Sequence, residues 1–403
     1  MSNWSFLTPD GPMMRYPTFY LTSLLFSLHS AHGLAATLHV GSGQTYSTPC
    51  KAFAVARAGD TIDIQAGTYN GDVCAVRPDN LIIRGVGGRP KIVAAGKSAL
   101  DKATWVIQGD NITVDNVDMS GSRVPDKNGA AFRLEGSNFT LRNSFIHDNE
   151  NGILSGVNTS STVTLEHNEF SNNGYGDGYS HNLYIGKIKK LVFRFNYSHD
   201  ANVGHGLKSR ALLNVIAYNR FSSARSDEPG ADRGRPSYEI DIPSAGSTYI
   251  IGNVIMQPSR NNNPALIAYG EEGARNAGHD LYVVNNTFLN EDTARATYIM
   301  IGSKVSRPAL IQNNLFAGPG AVTNQDEAIR ETNFQSLSPG FVDQQAYDLV
   351  PLPNPMIIDA GSAPATPSSG ISLTPEAMYT HPASGGARPV DSAIDIGAYE
   401  APR

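Results

Sequence analysis

Eight times along this chain a short β-rich run is followed by asparagine and then by a second short apolar run. The segments are "ITVDNVDM" (112–119), "FTLRNSFI" (139–146), "VTLEHNEF" (163–170), "LVFRFNYS" (191–198), "NVIAYNRF" (214–221), "TYIIGNVI" (248–255), "LYVVNNTF" (281–288) and "ALIQNNLF" (309–316). Their asparagines are Asn116, Asn143, Asn168, Asn196, Asn219, Asn253, Asn286 and Asn314, spaced 23 to 34 residues apart. A unit this small cannot bury its own apolar face, but stacked units share one continuous core. Stacking in parallel sets equivalent strands about 4.8 Å apart. Asparagine tolerates the left-handed backbone of a tight turn, and its amide can bond to the asparagine one coil above. The pattern predicts an all-β chain wound as a right-handed parallel β-helix with Asn-rich turns. A sandwich would need regular hairpin signals, which are scarce.

A further strand precedes each asparagine unit: "AFRLE" (131–135), "GILSG" (152–156), "HNLYIG" (181–186), "HGLKSR" (205–210), "YEIDI" (238–242), "ALIAYG" (265–270) and "TYIMIG" (297–302). Each coil is therefore expected to hold three strands, with the Asn turn between the second and the third. Residues 51–69 read as an N-terminal amphipathic cap helix and a first strand. Caps are needed because an open coil end exposes strand edges and core. The chain opens with a basic residue, Arg15, a short apolar run (19–28) and small residues near 35–36, the pattern of a secretory signal. The run is too short to span a bilayer. We expect a signal peptide over 1–35, the β-helix over 36–345 and a Pro/Gly/Ser-rich capping tail over 346–403, in a secreted, monomeric protein without a membrane span. Cys50 and Cys74, the two cysteines, are expected to form a disulfide in that compartment. The net charge of −6 argues against nucleic acid as a partner.

Aligning "HNLYIG", "HGLKSR" and "YEIDIP" by their inward residues superposes Leu183, Leu207 and Ile240. Period two then gives an outward column of Tyr184, Lys208 and Asp241, and a neighbouring one of Asn182, Gly206 and Glu239. His181, His205 and Tyr238 start the three strands, and Arg210 stands beyond Lys208 on the same face. Residues 180–240 carry ten lysines and arginines against five acidic residues. That local excess in an acidic chain suits an anionic ligand, here an acidic polysaccharide. The longest insertion, 222–237, adds Arg233 and Arg235 and is placed to wall a groove beside Lys208. The stretch "YGEEG" (269–273) reads as a solvated turn, with Glu271 or Glu272 as an alternative extension of that groove.

The repeat, the caps and the Asn turns resemble the pectate-lyase-like β-helix superfamily over nearly the whole mature chain. Within it, "HGLKSRALLNVIAYNRF" (205–221) resembles the lysine-bearing strand of the β-helical alginate lyases and chondroitinase B. "SHDANVGHGLKSRA" (198–211) is similar to the "HGI..SR" stretch of secreted mannuronan C5-epimerases. Two departures stand out. In the lyases the lysine and the arginine lie on successive coils, whereas here they share one. The epimerase "DPH" motif is replaced by "GDGYSHN" (176–182). Both resemblances imply removal of the C5 proton of a uronic acid. Lys208 would be the base, with a pKa lowered by neighbouring cations or partial burial. Arg210, or a calcium ion held by Glu239 and Asp241, would neutralise the carboxylate. His181, His205 or Tyr184 would serve as base or as acid, and Asn182, Tyr238, Glu239, Asp241, Arg233 and Arg235 would bind substrate. Four readings follow, in order of preference: a lyase acting by β-elimination, a C5-epimerase, a hydrolase using Glu239 and Asp241, and a non-catalytic glycan-binding protein.

Overall fold

The structure, a computed structural model, describes residues 1, 35–223, 236–259, 261, 263, 265–292, 296–364, 366–367, 370–389 and 392–401. The expected signal peptide and Arg233 and Arg235 lie outside the described residues, apart from Met1 and Ala35 at the ends of the former. From Thr37 to Ser336 the chain winds through three parallel sheets of twelve, ten and eleven strands. Sheet A runs from Thr37–Val40 to Ile329–Glu331, sheet B from Thr68–Asn70 to Phe334–Ser336, and sheet C from Cys74–Val76 to Ala321–Thr323. Each full coil visits C, then A, then B, so the Asn turn falls between the second and third strands. This is the parallel β-helix that the repeat predicts.

Period-two alternation generates the core. In Asn158–Glu166, Val163 and Leu165 point inward while Thr164 and Glu166 face out. In-register neighbours continue each column, as in Leu141, Leu165 and Phe193. Phe170, Phe193 and Phe221 stack along the axis with centroids 6.1 and 5.7 Å apart. At the N-terminal end a single helical turn, Pro49–Phe53, stands where a longer amphipathic helix was expected. It buries Pro49, Ala52 and Phe53, the last edge-on to Trp105 at 5.0 Å. Cys50 and Cys74 are disulfide-bonded, with Cα atoms 5.9 Å apart. Among the described residues, no helix is long and apolar enough to cross a membrane.

The Asn turn holds two adjacent positions rather than one. The first has a left-handed backbone and is filled by Asn116, Asn143, His167, Phe195, Tyr218, Gly252, Asn285, Asn313 and Thr332. The second, one residue on, carries a buried ladder of Asn168, Asn196, Asn219, Asn253, Asn286, Asn314 and Asn333. From Asn196 on, each ladder Oδ1 accepts both the backbone N–H and the Nδ2–H of the preceding asparagine, at 2.8–3.1 Å. Asn143 is therefore not a rung. Ser144 occupies that place and donates its N–H to Asn168. A glance at "RNS" against "HNE" hides this one-residue offset, because asparagine suits both positions for different reasons: αL tolerance at the first and amide bonding at the second.

The C-terminal segment folds back along this corner instead of stacking as another coil. Tyr218 Oη accepts the Glu376 N–H at 2.9 Å, Asn285 Nδ2 donates to the Asp395 carbonyl at 2.8 Å, and Ala398 N–H donates to Thr287 Oγ1 at 2.9 Å. Phe341, Leu349, Ile357, Ile396 and Ala398 bury the outward Val254, Met256, Leu289 and Leu315 of sheet B. The tail thus covers the outer face of sheet B, while the titratable cluster stands on the outer face of sheet C.

Candidate functional site

Three consecutive strands of sheet C, Leu183–Ile185, Leu207–Ser209 and Ile240–Ile242, present the expected column in register: Tyr184 pairs with Lys208, and Lys208 with Asp241. Leu183, Leu207 and Ile240 anchor it from inside, all fully buried. Lys208 Nζ lies 2.9 Å from Asp241 Oδ2 and 3.0 Å from Glu272 Oε1. Arg210 donates from Nη2 to Glu272 Oε2 at 2.6 Å, from Nε to Tyr184 Oη at 2.8 Å and from Nη1 to Ser244 Oγ at 3.1 Å. One carboxylate, Glu272, is therefore gripped through both oxygens by the two cations. Its backbone is fixed by an N–H bond to the Pro243 carbonyl, while its side chain is 42% exposed. The Arg210 and Ala211 carbonyls accept hydrogen bonds from Nδ2 of buried Asn276, at 3.1 and 3.2 Å, which fixes the turn that carries the guanidinium.

At the strand starts, the His181 and His205 rings stack at 4.6 Å and His205 stacks on Tyr238 at 5.3 Å. His181 Nδ1 accepts the His205 backbone N–H, and His205 Nδ1 accepts that of Tyr238, both at 3.1 Å. These bonds fix the tautomer: in the neutral ring the proton sits on Nε2. Burial and the cations beside them depress both imidazoles, His205 to about 3. Both rings are thus neutral with their basic nitrogen already used, and each has only an Nε2–H to offer. That of His205 points toward Asp241 at 3.4 Å. Burial raises Asp241 to about 6, against the opposing pull of Lys208.

Lys208 departs from expectation. Burial lowers its pKa, but Asp241 and Glu272 outweigh burial, and the net shift is upward. In the free protein Lys208 is an ammonium ion, not a poised amine. For Glu272, burial acts upward, but hydrogen bonds from Arg210 and Lys208 win and hold it below the usual carboxylate range.

Asn182 and Glu239 are not on the outer face of sheet C. Strand alternation holds only within a strand, and both residues lie at the bend before one, where the side chain turns inward. Asn182 is fully buried, accepts from Asn173 and donates to the His199 carbonyl at 2.8 Å. It closes a second interior ladder with Asn149 and Asn173. Glu239 is buried over Gly206, whose missing side chain leaves it room, and its Oε1 has no partner among the described residues. Burial, then Asp200, raises Glu239 well above the ordinary carboxyl range. Calcium wants six to eight oxygen ligands, charged ones foremost. A Glu239 carboxyl turned into the interior and an Asp241 already facing an ammonium do not fit it. The same burial removes the carboxylate pair a hydrolase would need.

Sequence reasoning underrated Glu272 and missed Ser244 and Asn276. Extending the strand alignment one coil, to "ALIAYGEEG" (265–273), brings Glu272 to the turn beside Arg210. Asn276 gives no such signal, because its role is to bond backbone carbonyls of two earlier turns.

Comparison with family models and with curated proteins finds no match. Among solved structures the chain is similar to pectate lyase Pel9A, with a TM-score of 0.59 at 15% identity over 91% of this chain and 96% of that one. An alginate lyase from Paenibacillus sp. str. FPU-7 aligns with a TM-score of 0.43 at 14% identity, covering 73% of this chain and 97% of its own. A pectin methylesterase from Aspergillus niger gives 0.33 at 14%, covering 74% and 85%. The likeness to Pel9A agrees with the architecture of the chain's own three sheets, a parallel β-helix. More narrowly, the three all-parallel sheets and the likeness to pectate lyase Pel9A define the fold as a right-handed parallel β-helix.

Proposed function

We propose that this is an exported enzyme that cleaves an acidic, uronate-containing polysaccharide by C5 proton abstraction and β-elimination. The observation that carries the reading is the grip of Lys208 and Arg210 on the two oxygens of one carboxylate. A uronate carboxylate entering the groove takes the place of Glu272, which swings out on its exposed turn. Arg210 then holds that carboxylate with its planar fork and stabilises the charge that develops when the C5 proton leaves. Lys208, alongside, takes the proton once it has released its own to Asp241 or to solvent. Tyr184 accepts a hydrogen bond from Arg210, so its hydroxyl proton is free to go to the leaving glycosidic oxygen. Neutral His181 and His205 shape the end of the groove and do not act as bases. The disulfide and the N-terminal signal-like segment support export, and the chemistry of the clamp supports an acidic glycan.

Incubation with alginate, polygalacturonate and glycosaminoglycans tests the reading. An unsaturated uronate product supports elimination. Deuterium uptake from solvent without cleavage means epimerisation, new reducing ends without the chromophore mean hydrolysis, and binding without turnover leaves a glycan-binding protein; each of these last three overturns it.

A further inference from the structure

A second charged cavity lies away from sheet C, between the outer face of sheet B and the C-terminal segment. It encloses about 780 Å³, within the usual range for small-molecule sites. Its inner wall carries Arg220, on the strand Arg220–Ser222, in register between Tyr197 and Val254. Arg220 is only 7% exposed. Its guanidinium carbon sits 5.3 Å from the Tyr197 ring centroid and 5.3 Å from that of Tyr347, within cation–π reach of both rings. Among the described residues, no hydrogen bond or ion pair satisfies its five N–H donors. The nearby acids do not fill the role. Glu400 pairs with buried Arg388, and Asp348 is an exposed residue that accepts the Val350 N–H.

A permanently charged group this deeply buried is costly unless it is paired. Cation–π contact with tyrosine offsets part of the cost but leaves the donors unmet. The rest of the wall is mainly apolar or aromatic, with Val350, Met378, Tyr379, His381 and Tyr399 around the cation. A bare inorganic anion would meet the guanidinium but leave these surfaces unfilled. A carboxylate on a ring-sized body meets both, because the planar fork matches a carboxylate bidentately and aromatic faces suit the C–H face of a sugar ring. We propose that this cavity is a second binding site, for a single carboxylate-bearing sugar residue, with Arg220 as its anchor and the C-terminal segment as its outer wall. It is separate from the Lys208–Arg210 clamp and does not depend on the chemistry there.

The probe is free galacturonate, titrated calorimetrically into the double variant Lys208→Ala/Arg210→Gln, which lacks the groove clamp. One equivalent should bind. Adding Arg220→Gln should weaken binding at least about tenfold, the scale of one charge-assisted pair. Galacturonate methyl ester should bind wild-type cavity residues weaker by a similar factor, and inorganic phosphate should not compete at equal concentration. Wild-type crystals soaked with galacturonate should show the sugar in the cavity, with its carboxylate on the Arg220 guanidinium, which keeps the test independent of how well Arg220→Gln folds. The proposal is overturned by an empty cavity in the soaked crystal, by binding that vanishes with the clamp residues, or by equal affinity for acid and ester. If the clamp proves catalytically silent but galacturonate still binds the double variant, the proposed function fails and the second site stands.

Discussion

In the proposed reading, Glu272 stands where a substrate carboxylate would bind, and that makes it a competitor. If Lys208 and Arg210 must release it before binding, Glu272→Gln should lower KM several-fold while leaving kcat close to wild type, since the binding-competent state is then populated without displacement. A raised KM would assign Glu272 to substrate contact instead. Arg210→Lys keeps the charge but loses the fork that spans two carboxylate oxygens, so kcat/KM should fall by about tenfold or more. The upward shift of Lys208 sets the pH profile. An ammonium must lose its proton to act, so kcat/KM should climb through neutral pH and keep rising toward the ordinary lysine range near ~10.4. A plateau reached by neutral pH would point to another base. The column Tyr184–Lys208–Asp241 was legible because residues inside a strand obey period two. Asn182 and Glu239 were misread because they precede the strand, where the chain bends and alternation no longer applies.

At the scale of elements, the asparagine ladder is the main polar order in the coil stack. Asn219 is fully buried, and its Oδ1 serves both the N–H and the Nδ2–H of Asn196 while its own Nδ2 reaches the Phe193 carbonyl at 2.8 Å. Asn219→Ala leaves those donors unpaired and should cost about 1–3 kcal/mol in urea unfolding. Asn143→Ala, on the outer left-handed position, should cost less than Asn219→Ala. Equal losses would contradict the two-position account of the turn. Sheet B adds a pH term. Burial acts against the charged form of His147, but Asp118 and Asp148, at 3.0 and 2.7 Å, overcome it and raise its pKa to about 9. His199 shifts the same way beside Asp200 and Glu169. A raised folded pKa stabilises fully below the unfolded value of ~6.5 and is lost as pH climbs to about 9. Stability should therefore fall between these limits, and His147→Gln should flatten the fall. An unchanged slope in that variant would remove His147 from the account. The repeat announced the coils, whereas the ladder's exact rungs needed the backbone, because nothing in the residue type tells an αL asparagine from a bonded one.

For the whole β-helix, the outer faces of sheets B and C are finished differently. The tail covers much of sheet B's apolar outside, and sheet C bears the Lys208–Arg210–Glu272 cluster. The tail's composition hinted at a cap but not at which face it covers, since contacts such as Asn285 to Asp395 span 110 residues. The Cys50–Cys74 bond closes a 24-residue separation at the N-terminal end, so replacing both cysteines by serine should cost roughly 3 kcal/mol in thermal or denaturant unfolding. Local fraying of the first coils under hydrogen exchange would accompany the loss. None of this reaches the site, which lies several coils away, and groove activity per folded molecule should be unchanged. The central claim concerns Lys208. Its direct measurement is the rate at which the unsaturated uronate chromophore appears when Lys208→Ala, with a wild-type unfolding midpoint, meets a polysaccharide the native enzyme cleaves. The account predicts a loss of at least about a hundredfold in kcat. Turnover at the native rate would contradict it and leave Lys208 and Arg210 as a binding surface only.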